Sequence, residues 1–185
     1  MAAAVRFTIA PYPLVASLAM TDQPLPFDPI ARAAELWQDR VGESTVMAAV
    51  TSVMRVQQIL QSAVDTALRP HGLTFARFEA LVLLYHSSRG SLPMRVMGQR
   101  LQLHPTSVTN IVDRLEGDGL VKRIPHPTDR RTTLVEITEA GERRRVEATE
   151  AVTAVRFGLR GLTDRQTVAL TDLLAKVRRA CGDFE

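Results

Sequence analysis

The run from Leu92 to Thr138, LPMRVMGQRLQLHPTSVTNIVDRLEGDGLVKRIPHPTDRRTTLVEIT, constrains the fold more than any other part of the chain. Its punctuation reads as helix, turn, helix and then a two-stranded ribbon with a basic tip. Pro93 to Leu101 has the length of a short helix, with Pro93 in the first turn, where a missing N–H does no harm. Gln102, Leu103 and His104 make the turn, and Pro105 opens a second helix in the same way. Val108, Ile111, Val112 and Leu115 recur at the spacing of one buried helix face. Thr106, Ser107, Thr109, Asn110 and Arg114 therefore point elsewhere. Glu116-Gly117-Asp118-Gly119 stops the helix. Leu120 to Ile124 and Thr133 to Ile137 alternate as strands, joined by the loop from Pro125 to Arg131.

That order defines the expected fold class: mostly α with a small β-wing, a winged helix-turn-helix flanked by further helices. The chemistry suits double-stranded DNA. A recognition helix reads base edges in the major groove through small polar side chains near its N-terminus. Pro105, Thr106, Ser107, Thr109, Asn110 and Arg114 stand at such positions, and a helix N-terminus also favours a nearby phosphate. The loop His126-Pro127-Thr128-Asp129-Arg130-Arg131 sets two adjacent arginines at a hairpin tip. An arginine there suits a narrow minor groove, where the potential is most negative. Asp129 is expected to hold Arg131 by a charge-assisted bond, and Lys122 adds a cation on the first strand.

The same stretch resembles a known family. Asp113-Arg114-Leu115-Glu116, Gly119-Leu120-Val121, Arg123, Asp129-Arg130-Arg131 and Leu134 through Gly141 (LVEITEAG) are similar, in fixed register, to the signature of MarR-type transcriptional regulators. Gly98 stands where that family keeps a small residue for the close crossing of two helices. Gln102 departs from the glycine usual in the family's turn, and a left-handed backbone is the expectation there. The resemblance implies a mostly helical, triangular homodimer with interleaved terminal helices.

Charge distribution supports the basic wing. The chain has 185 residues with 23 Lys and Arg against 20 Asp and Glu, a net charge of +3. Between Leu120 and Val135, Lys122, Arg123, Arg130 and Arg131 face Asp129 alone, so the chain's whole excess sits on the wing. The single cysteine, Cys181, excludes an internal disulfide. Redox-sensing members of the family keep their cysteine near the N-terminus, so that role does not carry over.

Taken in order, Met1 to Ala19 superficially resembles a signal peptide. Pro11 and Pro13 cut its apolar part into pieces too short for export or a membrane span, and the expectation is irregular structure. Met20 is a second candidate start of translation. Residues 1–28 are thus read as a lead-in, and Asp28 and Pro29 open a helix to about Val41. Ser44 to Leu68 is a long helix capped by Ser44 or Thr45. Thr74 caps a helix from Phe75 to His86, and Ser87 to Ser91 is a loop. After the wing, Thr138 caps a helix from Glu139 to about Leu159, with Arg143, Arg144 and Arg145 near its start. At most two of these share a face toward DNA. Thr163 caps the last helix, Asp164 to Ala180. The helices in 29–70 and 139–185 carry broad apolar stripes that the DNA-binding domain, 71–138, is too small to cover. Burial against a second copy gives a two-fold dimer, hence a pseudo-palindromic site.

No catalytic motif is present, and no cofactor or metal site is read: there is no GxSxG, HExxH, phosphate-binding glycine loop or CxxC. His71, His86, His104 and His126 are dispersed. The resemblance implies a small aromatic, acidic or phenolic effector held between the dimer helices and the winged domain. Its candidate contacts are Trp37, Arg55, Glu79, Tyr85, His86, Asn110 and Arg123. A subgroup with an added tryptophan-bearing N-terminal helix, part of it urate-responsive, brings Trp37 into question as a stacking residue or as a plain packing anchor. Glu79 and Arg123 either line such a pocket or pair with each other. The expected function is a cytoplasmic, ligand-released, DNA-binding repressor. The alternative is a winged-helix regulator without small-molecule input, controlled by a protein partner or its own concentration.

Overall fold

The computed structural model describes residues 24–129 and 131–185. The expectations for Met1 to Ala19 and for Met20 lie outside those residues. Seven α-helices and three strands follow one another: α1 (Pro29–Arg40), α2 (Thr45–Leu68), α3 (Phe75–Tyr85), β1 (Ser91–Pro93), α4 (Met94–Leu101), α5 (Pro105–Gly117), β2 (Val121–Pro125), β3 (Thr133–Ile137), α6 (Glu139–Ala154) and α7 (Asp164–Ala180). The chain divides into two compact units, one ending at Val53 and one running from Met54 to Glu185.

In the first unit, Asp28 caps α1, its carboxylate accepting the N–H of Ile30 at 2.8 Å and of Ala31 at 3.3 Å. Pro29 occupies the first turn, as its missing donor allows. The Trp37 carbonyl takes the N–H groups of Val41 and Gly42, which ends the helix. Trp37 itself is 42 % exposed.

In the second unit, Gly72, at φ +68°, closes a short 3-10 turn after α2. Thr74 precedes α3 but makes no side-chain cap. Asp65, back on α2, instead accepts the Phe75 N–H at 3.2 Å. This tertiary contact satisfies the first orphan N–H of the helix, whereas a Thr74 cap would have served the second or third. The core joins Leu68, Phe78, Leu81, Leu84, Met97, Val108, Val112, Leu115, Val135 and Val152, all buried. It draws on α2 to α6 and the sheet, so the second unit closes around one apolar centre.

The sheet has three antiparallel strands in the order β1-β3-β2, one more than the ribbon expected. Ser91, Leu92 and Pro93 pair with Glu136, Val135 and Leu134. Pro93 is therefore not in a first helical turn: at ψ 140° it is extended and sits just before α4. A proline without an N–H is tolerated at a short edge strand. The β2–β3 register sets Lys122 opposite Glu136 and Arg123 opposite Val135.

The helix after the wing starts as expected. Thr138 Oγ1 accepts the Gly141 N–H at 3.0 Å and donates to the Gly119 carbonyl at 2.8 Å. It ends early, at Ala154 rather than Leu159, because Arg156 and Phe157 both take φ +50° and Gly158 φ +79°. A Cβ on Gly158 would lie 2.7 Å from Ala63 Cβ, so the backbone here packs directly on α2. In α7, Thr163 and Gln166 form a reciprocal capping box. No helix among the described residues is long and apolar enough to cross a membrane.

Candidate nucleic-acid interface

α4 and α5 cross closely. A Cβ on Gly98 would meet Leu103 O at 3.2 Å and Val108 Cγ2 at 3.3 Å, which explains the small residue there. Between the helices, Gln102 stands at φ +54°, ψ +42°, the left-handed region. For a non-glycine residue this conformation costs on the order of 1 kcal/mol. The Leu103 N–H returns to the Gly98 carbonyl at 2.9 Å, closing the turn.

His104 precedes α5, and its Nδ1 accepts the Thr106 N–H at 3.3 Å. Val108, Val112 and Leu115 are buried on one face. On the other, Pro105, Thr106, Ser107, Thr109, Asn110 and Arg114 are all exposed. The Thr109 hydroxyl donates to the Pro105 carbonyl at 3.1 Å, which leaves its oxygen lone pairs for outside donors. A groove of about 670 Å3 runs beside this face, lined among others by Arg95, Gln99, Gln102, Pro105 and Thr109. Arg95 and Gln99 were missed in the sequence. Their signal is an exposed polar pair four residues apart on the short first helix.

The wing tip is built by local side-chain hydrogen bonds. His126 Nδ1 faces the N–H groups of Thr128 and Asp129, at 3.3 and 3.1 Å. Asp129 accepts the backbone N–H of Arg131 at 3.0 Å and the Thr132 hydroxyl at 2.6 Å. The Thr132 bond, then the Arg131 one, holds its carboxyl below the usual range. Asp129 thus holds Arg131 by the expected charge-assisted bond, made through the backbone N–H and not the guanidinium. The Arg131 side chain is exposed. Arg130 lies outside the described residues. Lys122 is held by Glu136 at 2.6 Å, so it is less free than Arg131.

Arg123 fastens the wing to α5. Its guanidinium bonds Glu116, and reaches Asp113 at 2.5 Å. Its partners are therefore α5 carboxylates, not Glu79. Glu79 lies on the surface of α3, where partial desolvation raises its carboxyl pKa.

The other candidate ligand residues do not form one set. Tyr85, 44 % exposed, meets the His86 ring edge-on at 5.4 Å. The Arg145 guanidinium lies over the Tyr85 ring, 3.7 Å from its centroid. Its Nε is buried with no hydrogen-bond partner, the one such side-chain atom among the described residues. Arg144 donates to the His71 carbonyl. Arg143 pairs with Glu139 at 3.2 Å. The three arginines thus serve three separate contacts. Arg55 bonds Gln58 at 3.1 Å, Asn110 is exposed on α5, and Trp37 belongs to the first unit.

A closely crossed helix pair, an exposed polar helix face and a three-stranded wing with an arginine at its tip define a winged helix-turn-helix protein. Residues 73–133 match the sequence model of the MarR family. The fold is shared with Sco5413, a MarR family transcriptional regulator from Streptomyces coelicolor. That protein is 48 % identical at a TM-score of 0.70, over 76 % of this chain and 97 % of its own. This chain belongs to the MarR family of transcriptional regulators. MhqR of Bacillus subtilis, an HTH-type transcriptional regulator, is 37 % identical over 87 residues, which span 47 % of this chain and 59 % of MhqR. Sco3205 from S. coelicolor, a MarR family regulator solved in complex with DNA, is 25 % identical at a TM-score of 0.68, covering 73 % of this chain and 90 % of its own. CouR from Rhodococcus jostii RHA1, solved bound to p-coumaroyl-CoA, is 30 % identical at a TM-score of 0.60, covering 72 % and 91 %.

Proposed function

We propose that the protein is a sequence-specific, homodimeric repressor that binds a pseudo-palindromic operator and leaves it when a small aromatic or acidic ligand binds. The observation that carries the DNA reading is the face of α5. Thr106, Ser107, Thr109, Asn110 and Arg114 are all exposed, while the opposite face is locked into the core. Side chains of this size and polarity read base edges, and Arg114 and Lys122 suit phosphates. Arg131, with Arg130 beside it in sequence, suits the minor groove. Sco3205, solved with DNA, supports this use of the fold.

In this reading residues 71–138 are the DNA-binding domain, and the helices within 29–70 and 139–185 dimerise. Exposed apolar side chains support that division: Val46, Val50, Val53 and Ile59 on α2, and Val168, Leu173, Leu174 and Val177 on α7. Apolar faces of this extent call for a cover, and a second copy supplies one with matching symmetry. The protein acts in the cytoplasm, where its DNA is.

The ligand reading rests on Tyr85 and His86, exposed rings in edge-on contact, with the Arg145 guanidinium stacked on Tyr85 as a cation beside them, a set suited to an aromatic acid. CouR, solved bound to p-coumaroyl-CoA, supports a ligand that carries an aromatic ring. A ligand acts only by binding the DNA-incompetent state more tightly. The test is a thermal-shift screen with hydroxybenzoates and cinnamates, followed by competition against bound duplex. An effector raises Tm by mass action and lowers DNA affinity. Stabilisation without loss of DNA binding contradicts ligand release.

A further inference from the structure

The turn between α4 and α5 is held from outside. Gln102 is one of three non-glycine residues with positive φ among the described residues, and the only one of them in the helix-turn-helix. Its Nε2 donates to Asp183 Oδ1 at 2.7 Å, across 81 positions of sequence. Asp183 follows α7, and its other carboxylate oxygen accepts Arg178 Nε at 2.6 Å. Its backbone N–H returns to the Arg178 carbonyl at 3.1 Å. The Asp183 side chain is only 26 % exposed, and Arg178 and Arg179 flank the Phe184 ring at 5.1 and 5.0 Å. The carboxylate is thus positioned on both sides before it meets Gln102.

We propose that Asp183 is a positioning residue for the recognition helix: its bond to Gln102 holds a strained left-handed turn that sets the angle between α4 and α5. The inference rests on the DNA reading of α5 for its functional consequence, but its structural half stands alone. A residue with a Cβ is disfavoured at this φ and ψ, and persists there when its surroundings over-determine it. A charge-assisted hydrogen bond is among the stronger constraints available to a surface side chain. Both Gly98 contacts that define the crossing, Leu103 O and Val108 Cγ2, lie just past this turn. Relaxation of Gln102 toward ordinary φ moves them, and α5 with them. The same contact gives α7, with its exposed apolar face, a direct handle on the helix-turn-helix. A glycine at 102 has no need of the latch, because it occupies the left-handed region freely.

That difference supplies the test. Asp183→Ala, Gln102→Gly and the double variant are made in the full chain. Two readouts are taken: affinity for a duplex selected from a random-sequence library, and hydrogen exchange at the Leu103 amide. Asp183→Ala is expected to weaken DNA binding about tenfold, the ratio that relaxing one strained residue corresponds to, and to speed Leu103 exchange by a similar factor. Gln102→Gly alone is expected to match wild type in Leu103 exchange, and its DNA affinity is the reference for the double variant. The double variant is expected to exchange Leu103 like wild type and to bind DNA like Gln102→Gly alone, which loss of general tail packing or of a negative charge does not produce. The proposal is overturned if Asp183→Ala leaves Leu103 exchange unchanged, or if the double variant stays as impaired as Asp183→Ala. Should wild type itself bind no duplex, the DNA reading fails, and the exchange series still decides the latch.

Discussion

Glu116 accepts the backbone N–H of Arg123 at 2.9 Å and bonds its guanidinium as well, so the α5 helix and the first wing strand share one carboxylate. Asp113, one turn earlier on α5, takes the other edge of the same guanidinium. Helix and wing, the two parts proposed to touch DNA, are thereby fixed relative to each other.

This arrangement carries a pH dependence of known sign. The Arg123 backbone bond, then its side-chain bond, lowers the Glu116 pKa. A carboxylate with a depressed folded-state pKa contributes stability that is present above its unfolded pKa and lost as pH falls through the folded one. Denaturant titrations of wild type and Glu116→Gln from pH 7 to pH 2.5 check this. Wild type is expected to lose the contribution below the ordinary carboxylate range, about pH 4.3. The variant starts lower at pH 7 and has a flatter acid limb. Parallel curves would remove Glu116 from the account.

Gly141 offers a stability prediction with an internal control. A Cβ there would lie 2.1 Å from Leu120 O and 2.8 Å from Ile137 Cγ1, and the first of these atoms is backbone. Gly141→Ala is expected to cost about 3 kcal/mol, by overpacking where the neighbours cannot retreat. Gly117, near the end of α5, has nothing within 4 Å of the same built atom. Gly117→Ala is expected to be neutral or to stabilise by up to about 1 kcal/mol. Thermal denaturation of the pair decides it, and equal losses would contradict the packing described.

On the wing, Arg131→Ala and Lys122→Ala separate two kinds of cation. Arg131 is exposed above a backbone fixed by Asp129. Lys122 is bound to Glu136. Arg131→Ala is expected to weaken specific binding by about 2 kcal/mol and to reduce the salt slope by about one. Lys122→Ala is expected to cost less than about 1 kcal/mol. Anisotropy titrations at several salt concentrations provide both numbers. An unchanged slope for Arg131→Ala removes it from the interface.

The proposed effector cluster makes a simpler prediction. An aromatic acid that raises the wild-type Tm is expected to lose that effect in Arg145→Met, which keeps an apolar stem beside Tyr85 but no donor. Retention of the full shift would place the ligand elsewhere.

Much of this architecture was legible in the chain because its signals are local. Pro105, the four-residue repeat of Val108 and Val112, and the Thr138 cap each act within a few positions, and each element appears where those residues set it. The misses are long-range. β1 is three residues long and pairs with β3 across more than forty positions, so no periodicity announces it. Thr74 has the form of a cap but makes no cap bond, and Asp65 from α2 takes the first N–H of the helix instead. Helix α6 stops at Ala154 because Gly158 packs on Ala63, a contact with α2. In the candidate site, the exposed face of α5 follows from helical spacing. The partners of Arg123 and the reach of Asp183 to Gln102 follow only from the folded chain.

The most direct test of the central claim is selection of duplexes from a random-sequence library by the purified protein, followed by a salt titration on the recovered site. The account predicts a recurring inverted repeat with half-sites about one helical turn apart, and log affinity that falls steeply and linearly with log salt. Recovery of no common sequence, with weak binding to every duplex, would contradict it.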